Sequence, residues 1–164
     1  MTITLDIQNV CQDPLPVSNQ QMTEWVTTAL HAHQQHAELT LRLVDSEEIT
    51  DLNHTYRKYN KPTNVLAFPS NLPDNIVLDA PFLGDVIICP TVLKAESITL
   101  NTPLTAHWAH IIVHGVLHLL GYDHMDEKDT EIMQTHEIKI LQTLGFNNPY
   151  ATENNQKDNQ INDD

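Results

Sequence analysis

The chain has 164 residues, 40% of them hydrophobic, which suits one compact domain with a buried core. Its formal net charge of −14 sets it apart from proteins that hold nucleic acid by an overall basic surface. No apolar run reaches the roughly 18 residues of a membrane span, and Met1–Asp6 lacks the basic start of a secretory signal, so a cytoplasmic protein without membrane contact is expected. Cys11 and Cys89 lack C-x-x-C spacing and read as packing residues rather than a redox pair.

Ile3, Leu5 and Ile7 alternate with polar residues over 2–8, which predicts a half-buried strand. Ser18 is placed to cap a helix reaching about His36, with Met22, Trp25, Val26, Ala29 and Leu30 on one face; His31, His33 and His36 read as solvated. Leu39, Leu41 and Leu43 mark a second strand over 39–44. Asp45 and Glu48 resemble a capping box opening a second helix toward Tyr59, which Pro62 helps to end before a strand over Val65–Phe68. Three prolines from Pro69 to Pro81 read as a loop of the kind that flanks a substrate groove. Gly84–Cys89 is a short apolar strand, and Pro90 suits the first turn of a short helix. Residues 103–120 form a histidine-bearing helix, and Asp126 caps a last helix running to Leu144 before Gly145. From Asn147 the chain is rich in Asn, Asp and Gln, so the expectation is a single domain over 1–146 with a disordered tail over 147–164. Strands followed by interleaved strands and helices point to an α+β domain, with strand order left open.

The most informative stretch is His114-Gly115-Val116-Leu117-His118-Leu119-Leu120-Gly121-Tyr122-Asp123-His124. Helical residues four apart differ by about 40° in azimuth and about 6 Å along the axis, so His114 and His118 can aim at one point. Gly121 falls where the helix must stop, and the chain reversal there can carry His124 back as a third ligand. Three neutral imidazoles without a nearby cysteine suit Zn2+, one per chain, with the fourth tetrahedral position open for chemistry. His107, His110, His114 and His118 form one stripe on an otherwise apolar helix, so the imidazoles need partners.

The spacing also matches the H-E-x-x-H-x-x-G-x-x-H signature of zinc proteases at each histidine and at the glycine, so a metalloprotease is the first rival. The position of the protease's general base is Gly115, which has no side chain to take a proton. Lewis-acid chemistry on a phosphoryl group survives that loss.

HGVLHLLGYDH resembles the signature of the YbeY family of endoribonucleases, described as ribosomal RNA maturation factors. Leu52–Pro69 is similar to that family's second block and Leu83–Cys89 to its third; with Ala106–His110 the likeness covers about residues 50–145. Asn60 and Asn64 stand where the second block often has aspartate, and Ala67 where it has serine, so no catalytic task falls to those three. The resemblance implies a small mixed sheet packed by helices, a metal held by His114, His118 and His124, and an arginine, Arg57, that contacts a phosphate of single-stranded RNA. It further implies maturation of small-subunit ribosomal RNA at its 3′ end, ribosome quality control, and ribosome-associated protein partners; DNA is not an expected substrate. Arg57, Lys58 and Lys61 can form a local positive patch although the tail accounts for only −3 of the charge and leaves −11 on the body. Asp123, beside a ligand, reads as an imidazole-orienting group, a base or a plain loop residue, and Asp85 as structural near the cleft. A ribosome-assembly binder with a structural metal is the remaining alternative.

Overall fold

The computed structural model describes residues 2–11, 14–31, 33, 36–70 and 81–150. Four strands, β1 (Thr2–Asn9), β2 (His36–Leu43), β3 (Val65–Pro69) and β4 (Phe82–Ile88), form one sheet in the order β1-β2-β4-β3. β1 pairs with β2 and β2 with β4 in parallel, whereas β3 runs antiparallel to β4. The helices are α1 (Asn19–Leu30), α2 (Ser46–Arg57), α3 (Pro90–Leu100), α4 (Leu104–Leu119) and α5 (Glu127–Thr143). The architecture is the expected α+β domain with a small mixed sheet.

Alternation along the strands divides the core in two. Ala37, Leu39, Leu41 and Leu43 of β2 and Val86 and Ile88 of β4 join the main core with Met22 and Trp25 of α1, Trp108 and Ile112 of α4, and Met133 and Leu141 of α5. On the opposite face Leu66, Ile87 and Cys89 meet Val44 and Ile49 in a smaller cluster. The helix that carries the histidines is thus buried on most sides, with Trp108, Ile112, Val113 and Leu117 inaccessible to solvent.

Local signals explain most boundaries. Ser18 accepts from the Gln21 amide while the Gln21 side chain accepts from the Ser18 amide, a complete capping box. Asp45 and Asp126 cap α2 and α5 through the amides of Glu48 and Asp129, and Pro90 opens α3. Several expectations shift. α1 stops at Leu30 rather than near His36, because His36 pairs with Thr2 at the start of the β1–β2 ladder. His31 and His36 are exposed as expected; His33 is also exposed, yet its Nε2 lies 2.8 Å from the Tyr122 hydroxyl. The Glu48 carboxylate completes no box with Asp45; it takes Arg42 of β2 in a two-pronged ion pair at 2.7 and 3.1 Å. α2 ends at Arg57, before Pro62 acts, with Lys58 left-handed at φ 68°. The described chain extends to Tyr150, four residues past the boundary set at 146, and most of the expected Pro69–Pro81 loop lies outside the described residues.

Candidate active site

α4 lies against β3 and β4 at Gly115. A Cβ added there would stand 2.6 Å from Val86 Cγ1 and 3.3 Å from Val65 Cγ2, so the missing side chain is what lets the helix backbone approach the sheet. A glutamate, the base of the protease signature, has no room at this position. At the end of the helix Gly121 adopts φ +102°, a conformation costly for any residue with a Cβ, and the chain turns back through Tyr122 and Asp123 to His124.

The reversal gathers three imidazoles. His114 Nε2 and His118 Nε2 face each other at 3.1 Å, and the ring centroids are 4.6 Å apart for His114–His118, 5.2 Å for His118–His124 and 6.0 Å for His114–His124. Two imidazole nitrogens on one tetrahedral zinc ion stand about 3.3 Å apart, and the ring centroids about 5 Å, from Zn–N bonds of about 2.05 Å. The donors present therefore fit in type, and the two helix imidazoles in spacing. The trio is gathered rather than closed: among the described residues no group of three or more His, Cys, Asp or Glu side chains forms a metal-binding cluster. The two helix donors sit at hydrogen-bonding distance from each other, and His124, on the turn, is 54% exposed.

Behind the helix donors stands a carboxylate that sequence reading missed. Glu137 of α5 is 1% exposed; its Oε2 accepts from His110 Nε2 at 2.9 Å and lies 3.3 Å from His114 Nδ1, while its Oε1 accepts the Tyr150 hydroxyl at 2.9 Å. Burial by itself would raise its pKa, but the hydrogen bonds and charges of His110 and His114 prevail and bring it down to about 2. Burial, and after it the same carboxylate, pushes the Tyr150 hydroxyl above its ordinary value. With Nδ1–H of His114 given to Glu137, the free lone pair is on Nε2, turned toward His118. His118 is lowered to about 4, first by burial and then by the neighbouring His114 and His124, so it is a neutral imidazole at pH 7. Further along the stripe, buried His107 pairs with Glu96 at 2.9 Å, and Glu96 also accepts from Asn64. A position such as 137, falling between Met133 and Leu141 on the buried face of α5, was the signal available in the sequence.

Asp123 Oδ1 accepts from the His124 amide at 2.7 Å and lies 3.4 Å from His124 Nδ1. Arg57, exposed at the end of α2, lines the same cleft as His114, His118, His124 and Asp123. His114, His118, His124, Asp123 and Arg57 are therefore brought to one cavity of 590 Å³, although Arg57 and His124 are 67 positions apart in sequence. Lys61, Asn53 and Asn64 also line it, and Asp123 is the single carboxylate among the described lining residues. Asp85 is on the β4 face turned away from α4 and does not line the cleft.

Fold and cleft together define an α+β domain whose polar, histidine-rich groove is suited to hydrolytic chemistry on an anionic substrate. The chain belongs to the endoribonuclease YbeY family, whose family model matches residues 6–145. Endoribonucleases YbeY from Legionella pneumophila strains Corby and Philadelphia 1 are each 58% identical to it over 156 residues, covering 95% of this chain and 99% of theirs. A solution structure from Thermotoga maritima superimposes with a TM-score of 0.56 at 19% identity, covering 86% of this chain and 91% of that one, and so shares the fold.

Proposed function

We propose that the chain is a zinc-dependent endoribonuclease that cuts single-stranded RNA, with His114, His118 and His124 as the metal ligands and Arg57 on a substrate phosphate. The observation that carries this is the convergence of three imidazoles and one exposed guanidinium on a single cleft that a polynucleotide can enter from solvent. A zinc ion bound there supplies Lewis acidity toward a phosphoryl oxygen and eases deprotonation of water.

The protein's own groups divide the remaining work. Glu137 holds the His114 ring by its Nδ1–H, and Asp123, 3.4 Å from His124 Nδ1, orients the third imidazole in the same sense. That assigns Asp123 to positioning rather than to proton abstraction. Arg57, with its planar fork of N–H donors, pairs with non-bridging phosphate oxygens and offsets charge that builds up as the phosphoryl group transfers. The substrate is ribosomal RNA in the cytoplasm, with maturation of the small-subunit 3′ end and ribosome quality control as the processes served, delivered by ribosome-associated proteins.

The test is cleavage of a single-stranded RNA by zinc-loaded protein, with metal content measured by elemental analysis. Arg57→Ala is expected to slow cleavage by about a hundredfold, the scale for losing one charge-stabilising donor, while the zinc per chain stays unchanged. Undiminished cleavage by Arg57→Ala would remove its phosphate role. Undiminished cleavage by a His114/His118/His124 triple alanine variant would remove the metal reading altogether.

A further inference from the structure

We propose that Tyr59 is a stacking platform for the nucleobase adjoining the phosphate held by Arg57, an inference that rests on the RNA reading above. Tyr59 is 60% exposed, a large aromatic surface to leave in water, and it lines the same cleft as Arg57 and the three histidines. Neighbouring Tyr56, exposed to a similar degree, has its ring edge against Phe68 with centroids 5.0 Å apart; among the described residues Tyr59 has no such aromatic support, and the Lys61 ammonium stands over its ring, 5.6 Å from the centroid. One face is thus backed by a cation, and 60% of the residue's surface is left to solvent.

The ring is carried by a fastened loop. Lys58 turns the chain at φ 68°, the Tyr59 amide donates to the Asn53 carbonyl at 3.4 Å, and the Asn53 side chain, 4% exposed, donates to the Lys61 carbonyl at 2.9 Å. Both ends of the Lys58–Lys61 loop therefore hang on one buried residue of α2. A platform set in advance loses little conformational freedom when a base settles on it. Two positions separate Tyr59 from Arg57, and they straddle the left-handed turn, so a strand with its phosphate at Arg57 presents the next base to this loop. Stacking needs an unpaired base with an exposed face, so such a contact selects single strands over duplexes and tolerates any base identity.

The experiment measures binding of a hydrolysis-resistant 2′-O-methyl octanucleotide of mixed sequence to the full chain by fluorescence anisotropy. Tyr59→Ala is expected to weaken binding about tenfold, while Tyr59→Phe and Tyr59→Trp stay within about twofold of wild type, because a ring and not a hydroxyl makes the contact. The salt dependence is expected to be the same in all four proteins, since no charge is removed. Equal binding by Tyr59→Ala, or a loss in Tyr59→Phe as large as in Tyr59→Ala, overturns the platform and leaves the RNA reading standing. A wild-type chain that neither binds the octanucleotide nor cleaves the matching RNA overturns both, and does so before any variant is made.

Discussion

Glu137 takes a place on α5 that its neighbours Met133 and Leu141 fill with apolar side chains, and it holds three polar partners there. The residues that could touch a substrate, His114, His118, His124 and Arg57, were legible because helical spacing, a glycine break and ordered blocks all bear on them. Glu137 was not, since its link to His114 spans 23 positions and a glutamate in a charged helix reads as solvated. Its depressed pKa has a consequence for stability. An ordinary glutamate titrates near 4.5 and Glu137 near 2, so between these values the unfolded chain binds more protons than the folded one. The stabilisation is full above about 4.5 and is lost as pH falls toward 2. His118 adds an earlier loss, from 6.5 down to about 4, for the same reason of sign. Denaturant unfolding of metal-free Glu137→Gln should therefore show a chain less stable by roughly 2 kcal/mol at pH 7, the scale of hydrogen bonds to a charged group. The gap to wild type should narrow below pH 4.5, whereas the His118 portion is common to both. Curves that run parallel from pH 7 to pH 3 would show that the buried carboxylate contributes nothing specific to the fold.

Caps and alternation placed nearly every helix and strand, because those signals act within a few residues. What sequence could not supply was the order β1-β2-β4-β3 or the identity of the elements meeting at the cleft, which depend on contacts across the whole chain. The early end of α1 has the same origin: its helical pattern continues toward His36, but pairing with β1 takes His36 into the sheet. Gly115 is where element packing bears most directly on function. Alanine is the better helix former by about 1 kcal/mol, so propensity alone favours Gly115→Ala. Packing opposes it, since the new methyl would lie 2.6 Å from Val86 Cγ1, on a side chain stiff about χ1 and fixed in a strand. Overpacking of this kind costs about 1–3 kcal/mol and should win. Thermal melting is expected to show Gly115→Ala destabilised and, on the proposed zinc reading, a titration of the metal is expected to show weaker binding as α4 lifts and carries His114 with it. An alanine variant as stable as wild type would mean that helix and sheet separate without cost.

At the scale of the whole molecule, a chain of net charge −14 must hold a polyanion, and the charge is distributed so that it can. Among its described lining residues the cleft gathers Arg57, Lys61 and three imidazoles against one carboxylate, Asp123, whereas acidic side chains such as Glu47, Glu127 and Asp129 cluster at helix N-termini elsewhere, where the helix dipole accommodates them. Long-range attraction is consequently weak and affinity rests on short-range contacts at the cleft. Binding to single-stranded nucleic acid releases about 0.7 counterions per neutralised phosphate, so two cleft cations imply a slope of log K against log salt near −1.4. Measured by anisotropy across a potassium chloride series, such a shallow slope would fit a site built from Arg57 and Lys61, and Lys61→Ala should flatten it by about half. A slope of roughly −4 or steeper would require phosphate contacts well outside the cleft, and the negative body of this protein offers few places to make them.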